Sequence, residues 1–269
     1  MTLRVQPLRS GSSGNSLLLR SETTTIVIDA GYTEVEMADT FDRVGVPLPS
    51  VHALVVTHAH TDHLGLAARM SRLGKFPVYT SRETVRGAPV VGRLKRLHAF
   101  DPGAVLEIGD LQVHTFPISH DAPGTIACVV EGGGGRFGIA TDLGHADRAL
   151  EEALANCNGF LLEFNHDERA LRDGAYPWRL KRRVLGEEGH LSNEQAAAML
   201  ARCLGPRLRR IYLGHLSEKN NTPAQALAAA RRVVERAGRT DITVCIAPRG
   251  ELAEEFVISA SEESVPSTP

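Results

Sequence analysis

No stretch of this 269-residue chain approaches the roughly 18 consecutive apolar residues that a membrane span requires. No apolar leader is expected either, because Met1 to Gln6 runs straight into a strand pattern. Cysteine is scarce. The four residues Cys128, Cys157, Cys203 and Cys245 are far apart in sequence and form no CxxC pair. That argues against a disulfide role and for free buried thiols in a reducing cytoplasm. An excess of one charge is also lacking: 30 Lys and Arg face 32 Asp and Glu, a formal net charge of -2. The balance demands no polyanionic partner, although a local basic patch can act within a neutral total. With 42% hydrophobic and 23% charged residues, collagen-like, disordered and membrane classes drop out. There is no internal repeat with a period of about 20 to 50 residues and no interior linker. A chain this long buries about three quarters of its unfolded surface, so the core needs no staples.

What is present reads as strands and helices in one undivided domain, residues 1–258, followed by a Ser/Pro/Glu-rich tail, 259–269, expected to be disordered. In the first half, Leu3–Leu8, Ser16–Leu19 and Thr24–Ile28 read as strands punctuated by glycine. Thr33–Val44 has helical spacing and stops at Gly45. Ala53–Thr57 is a short continuous apolar run, as expected of a strand buried on both faces. Leu64–Leu73 reads as a helix, and five further strands are expected between Val78 and Ala140. The glycines Gly132–Gly135 read as a hairpin loop. The second half is richer in helix. Tyr176–Leu185 is one, with Pro177 in its first turn, and Ser192–Cys203 opens on a Ser-x-x-Gln capping box. Ile242–Ile246 reads as the last strand. Sheets gathered between helices indicate a layered α/β or α+β domain.

Eleven histidines are many for this length. The densest cluster is Thr57-His58-Ala59-His60-Thr61-Asp62-His63, directly after the buried strand. Imidazole nitrogens with a carboxylate suit a borderline ion such as Zn²⁺ or Mn²⁺. In extended backbone His58 and His60 point the same way and can chelate one ion; Asp62 and His63 fall at the turn and can face a second. Three further candidates stand at strand ends: His120 after Phe116–Ser119, Asp142 after Gly138–Thr141, and His215 after Ile211–Gly214. His145, His166 and His190, in polar settings, are rim or loop residues. His52, His98 and His114 read as structural. Arg179, Lys181, Arg182 and Arg183 form a basic run on a helix, either a solvated face or a contact to phosphates.

The order HxHxDH, lone His, lone Asp, final His resembles the metallo-β-lactamase superfamily. The resemblance covers essentially the whole chain and implies a four-layer αββα sandwich of the α+β class with a site for two divalent ions at one edge. It implies that His58, His60 and His120 hold one ion, that Asp62, His63 and His215 hold the other, and that Asp142 bridges. It also implies that Asp29, in Ile-Val-Ile-Asp-Ala-Gly, fixes the histidine loop from behind. Finer motifs are similar to the YycJ-type (WalJ) branch, a bacterial group regarded as DNA exonucleases. They are Ser12-Ser13-Gly14-Asn15-Ser16, Glu163-Phe164-Asn165-His166-Asp167, Tyr176-Pro177-Trp178, Gly189-His190-Leu191-Ser192-Asn193, and His215-Leu216-Ser217 with Asn220-Asn221. Phe164 and Leu143-Gly144-His145 depart from that branch's pattern.

Two ions close together can share a water and lower its pKa to near neutral, giving a bridging hydroxide that attacks phosphorus. The expected function is therefore a dinuclear metal-dependent hydrolase, a phosphodiesterase or exonuclease on DNA or RNA, cytoplasmic and not membrane-bound. Asp62 is expected to orient the nucleophile and Asp142 to bridge. His190, Ser217 and Asn220 are alternatives for binding phosphate oxygens or protonating the leaving group, and Asn15, His166, Arg179, Lys181 and Arg182 are expected substrate contacts. The competing reading is hydrolysis of a thioester, lactone or other small carbonyl substrate at the same metals. A scaffold without turnover would not need every ligand. A diiron redox role is disfavoured because His60 stands where those relatives carry Glu.

Overall fold

Alternation of apolar side chains decides the layering. The computed structural model describes residues 1–88, 94–145 and 147–259. Its first six strands are β1 (Thr2–Arg9), β2 (Ser16–Arg20), β3 (Thr25–Ile28), β4 (Ala53–Val55), β5 (Val78–Ser81) and β6 (Leu97–Phe100). The next seven are β7 (Val105–Ile108), β8 (Leu111–Pro117), β9 (Ile126–Gly132), β10 (Gly135–Ala140), β11 (Gly159–Glu163), β12 (Arg210–Gly214) and β13 (Thr243–Ile246). A last strand, β14 (Phe256–Ser259), returns to the edge of the first sheet, giving the order β14-β1-β2-β3-β4-β5-β6. The second sheet runs β13-β12-β11-β10-β9-β8-β7. Both are mixed in the same way. Antiparallel pairing from β14 to β3 gives way to parallel pairing from β3 to β6. Antiparallel pairing from β7 to β10 gives way to parallel pairing from β10 to β13.

Successive strand residues point to opposite faces. Ile26 and Ile28 therefore join a core between the sheets, while Val27 faces outward onto a helical layer. On the other sheet Leu161 and Tyr212 face inward, and Phe160, Leu162, Ile211 and Leu213 face the opposite helices. The outer layer on the first sheet comes from α1 (Glu34–Arg43), the single turn α2 (Thr61–Leu64) and α3 (Ala67–Gly74). After the short α4 (Arg82–Gly87), the second sheet is covered mainly by α5 (Arg148–Ala155), α8 (Asn193–Arg202) and α9 (Pro223–Arg236), with α6 (Glu168–Asp173) and α7 (Trp178–Val184) between them in sequence. The result is the αββα sandwich that the family resemblance implies. Among the described residues no helix is long and apolar enough to cross a membrane.

Local chemistry sets the boundaries. Thr33 and Ser192 each close a capping box, with Glu36 and Gln195 respectively. Gly133 and Gly134 both have positive φ and form a two-residue hairpin turn. The expected helix Leu64–Leu73 is broken at Gly65, because the Leu66 amide turns to donate to the Ala30 carbonyl. Pro177 is the N-cap of α7 and not part of its first turn. The last strand is β14 and not the one at Ile246; Ser259, expected in the tail, pairs with Thr2. The rest of that tail, 260–269, lies outside the described residues, as does Ala146, where the sequence pattern also leads one to expect the start of the helix ending at Ala155.

A candidate metal centre at the strand ends

Parallel strands present their carboxyl ends together, and the functional side chains follow them. Asp29 follows β3, the His58–His63 loop follows β4, Glu163 ends β11 and His215 follows β12. His120 and Asp142 stand two or three residues beyond β8 and β10. Asp29, Asp142 and His215 all adopt left-handed backbone, with φ of 63°, 61° and 53°. Such a conformation costs roughly 1–2 kcal/mol in an L-residue and is tolerated best by short polar side chains. Here it turns each side chain sharply off its strand end.

The ligand atoms of His58, His60 and His120 lie within 4.8 Å of one another, and so do those of Asp62, His63 and His215. Asp142, 1% exposed, sits between the two sets. Its Oδ2 is 3.1 Å from His63 Nε2, and its Oδ1 is 3.3 Å from His215 Nε2 and 3.9 Å from His120 Nε2. Asp62 Oδ2 stands 3.5 Å from His215 Nε2 and 3.7 Å from His63 Nε2.

Each ring is held from behind. Asp29 accepts from His63 Nδ1 at 2.7 Å and from the Thr57 amide at 2.8 Å. His58 Nδ1 faces the Thr57 hydroxyl at 3.0 Å, and His120 Nδ1 faces the Gly189 carbonyl at 3.3 Å. His60 turns Nδ1 toward His120 and Nε2 toward Asp121, 3.3 Å in each case. Asp121 is in turn paired with Arg183. Glu163 is fully buried and accepts four hydrogen bonds: His190 Nδ1 at 2.8 Å, His215 Nδ1 at 2.9 Å, and the Leu143 and Leu191 amides at 3.2 Å.

Electrostatically the two sets differ. Burial, reinforced by neighbouring imidazoles, holds His58 well below the usual histidine range, and burial also lowers His60 and His120. These rings are neutral, with lone pairs available. Burial would likewise lower His63 and His215, but carboxylates overcome it. Asp142 and Asp29 raise His63 well above its ordinary value, and Asp142, Asp62 and Glu163 raise His215 to about 10. Conversely, Asp142 stays well below the carboxylate range despite burial, through His215 and His63. Glu163 is held at about 2 despite burial, through His190 and His215.

These residues fit divalent metal. Among the described residues buried His58 Nε2 has no hydrogen-bond partner, a costly state unless something else meets it. His215 Nε2 and Asp142 Oδ2 are met only by ion-pair contacts, His215 by Asp62 and Asp142, and Asp142 by His63. The donors are imidazole nitrogens and carboxylate oxygens, the set that suits borderline cations.

The other expected contacts are distributed differently. His190 lies beside the cluster, its ring centroid 5.2 Å from those of His120 and His215. Asn15 is turned inward: its side chain exchanges hydrogen bonds with Gly11, and Nδ2 reaches to 2.9 Å from His63 Nε2. It supports the histidine loop and does not face solvent. His166 is fully buried with both ring nitrogens unpartnered, so it is not a rim residue. Ser217 and Asn220 are buried and bonded to each other, Oγ to Nδ2 at 3.3 Å, in the turn after β12. Lys181 donates to the Arg172 carbonyl, whereas Arg179 and Arg182 are exposed. Sequence reasoning named Glu163 only within a branch motif, without a role, and missed Asp121. Glu163 ends an apolar strand, the signal that identified His120, Asp142 and His215; Asp121 directly follows a candidate ligand.

Residues 24–216 match the family described as the beta-lactamase superfamily domain. Fold and site together define the class, and the chain belongs to the metallo-β-lactamase superfamily. Its branch is that of bacterial proteins named WalJ and YycJ. It is 33% identical over 219 residues to the exodeoxyribonuclease WalJ of Streptococcus pneumoniae serotype 2 (strain D39 / NCTC 7466), covering 80% of this chain and 81% of that one. It is 31% identical over 241 residues to the exodeoxyribonuclease YycJ of Bacillus anthracis, covering 88% and 91%. Among solved structures, the metallo-beta-lactamase fold protein YhfI of Bacillus subtilis superposes with a TM-score of 0.72 at 16% identity, over 94% of this chain and 99% of that one.

Proposed function

We propose that the protein is a dinuclear metal-dependent phosphodiesterase that removes nucleotides from the ends of DNA. One observation carries the reading: two sets of three ligand atoms converge on one buried carboxylate, Asp142, and the buried His58 Nε2 has no hydrogen-bond partner among the described residues. In this reading His58, His60 and His120 would hold one ion, Asp62, His63 and His215 would hold the other, and Asp142 would serve both. Zn²⁺ or Mn²⁺ suits the donors. When bound, the pair supplies Lewis acidity and a water acidified to near neutrality. The relatives' names as exodeoxyribonucleases support phosphorus over carbon as the reacting centre.

The chain's own residues then have defined tasks. Asp62, the most exposed of the ligand carboxylates, accepts a hydrogen bond from the attacking water and sets its direction. His190 is held by Glu163 through Nδ1, which leaves Nε2 to hydrogen-bond a phosphate oxygen or protonate the leaving oxygen. Asp29, Glu163 and Asp121 hold ring orientations, so that little reorganisation accompanies the reaction. Ser217 Oγ accepts from the Asn220 amide and from Asn220 Nδ2, which fixes the turn after β12. The buried thiols Cys128, Cys157 and Cys203 are pushed to high pKa by burial and are inert, in keeping with a cytoplasmic setting.

The test is an activity panel. Purified protein with Mn²⁺ is incubated with end-labelled DNA, end-labelled RNA, a thioester and a chromogenic β-lactam. The expected result is progressive shortening of DNA from an end. Rapid thioester or lactam hydrolysis with intact nucleic acid would overturn the reading.

A further inference from the structure

Two clefts meet along α3. One, of about 280 Å³, begins at Ala59 and Thr61, the residues interleaved between His58, His60 and Asp62, and runs over Leu64 and Gly65. The other, of about 660 Å³, ends at Arg72, Lys75, Lys95 and Arg96. Ala68 and Leu94 line both, so the two form one groove leading from the histidine loop to a basic end. Helix geometry explains the continuity. Ala68 with Ser71 and Arg72 stand at i, i+3 and i+4 on one face of α3, and Lys75 caps its end in left-handed backbone.

The basic end is not neutralised. Arg72, Lys75 and Lys95 form no ion pair among the described residues, and Arg96 donates to the Lys75 carbonyl. Among the described residues that line the groove there is no Asp or Glu. Among the described residues four cations without counter-charge stand together, in a chain whose net charge is -2. The run on α7 is different: Arg183 is paired with Asp121 and Lys181 is occupied by a carbonyl. No aromatic side chain lines the groove among the described residues, so bases have nothing to stack on. What such a groove recognises is a row of phosphates, without regard to sequence.

We propose that the single strand leaving the reacting phosphodiester lies along α3, its phosphates on Arg72, Lys75, Lys95 and Arg96 and its sugars over Leu64, Ala68 and Leu94. The proposal rests on the nuclease reading above and adds the path of the substrate. It moves the main backbone contacts away from Arg179, Lys181 and Arg182.

The experiment is a salt titration of binding. The probe is a single-stranded DNA of about a dozen nucleotides with hydrolysis-resistant phosphorothioate linkages, matched to the footprint of a short groove. Wild type is compared with Arg72→Gln/Lys75→Gln/Lys95→Gln and, in parallel, with Arg179→Gln/Arg182→Gln. All carry exposed substitutions, and metal content and melting temperature verify that each variant is intact. The groove variant is expected to bind more weakly and to lose about 2 from the slope of log affinity against log salt, about 0.7 per phosphate contact. The α7 variant is expected to keep the wild-type slope. An unchanged slope in the groove variant overturns the path while leaving the nuclease reading standing, as does a loss confined to the α7 variant. Failure of wild type to bind or cleave any nucleic acid overturns that reading and the path with it.

Discussion

In the proposed assignment two of the histidine ligands, His63 and His215, carry protons that a cation must displace. His63 and His215 are held above their ordinary pKa by the carboxylates around them, His215 at about 10. In the metal-free protein both are therefore charged at neutral pH and serve as counter-ions to Asp142. Ligation needs neutral imidazole, so loading the site at pH 7 should release about two protons per chain. Calorimetry in buffers of different ionisation enthalpy measures this directly; release near zero would mean that these rings are not ligands. The sign for affinity follows, since metal competes with protons and binding strengthens as pH rises toward about 10. For metal-free stability the sign is opposite. A raised folded pKa stabilises fully below the unfolded value, and that contribution is lost as pH climbs through about 10. Glu163→Gln tests the coupling, because it removes a charge that holds His215 while keeping the shape. Proton release should fall toward one, and metal affinity should drop about 10–100-fold. At this scale the ligands were legible because HxHxDH is local and its chemistry is written in residue type. Asp142 and His215 were legible as polar residues closing apolar strands. Glu163 was not, because its role depends on register: it pairs across to Gly214, one residue before His215, and this brings the two side chains together.

Loops, more than strands, hold the site in shape. The Asn15 amide donates to the Asp62 carbonyl at 2.7 Å, the Ala30 amide to the His63 carbonyl at 2.7 Å, and the Gly31 amide to the Asn15 carbonyl at 3.0 Å. The turns after β1, β3 and β4 are thus bound into one unit. Gly31 is required for this closeness, since a Cβ there would stand 1.8 Å from the Asp62 carbonyl oxygen. Gly31→Ala should push the histidine loop outward and cost about 1–3 kcal/mol of stability, with weakened binding of the ion assigned to Asp62 and His63. Gly250→Ala, where a Cβ meets nothing within 4 Å, serves as the neutral control. Thermal melts with and without metal read both; a Gly31→Ala protein with wild-type melting and metal binding would contradict the packing argument. Most strands could be read from apolar runs bounded by glycine, and both capping boxes mark their helices. The break between α2 and α3 could not be read, because it follows from a long-range bond to Ala30. Nor could β14, whose four residues become a strand only by pairing with β1.

On the scale of the whole molecule, two mixed sheets enclose one apolar core and two helical layers enclose two more. The polar constellation sits at the edge where the parallel strands end, outside the three apolar clusters. The layer order followed from the family resemblance carried by the histidine motif. The path of the substrate did not, because the cations of α3 and of Lys95–Arg96 are distant in sequence and meet only across β5. The central claim is that two ions on this chain act together on nucleic acid. It is tested most directly by titrating the metal-free protein with Mn²⁺ while following hydrolysis of end-labelled single-stranded DNA. Activity should stay low through the first equivalent, rise with the second and level off at about two per chain. Full activity at one equivalent, or no DNA hydrolysis at any metal concentration, would contradict the account.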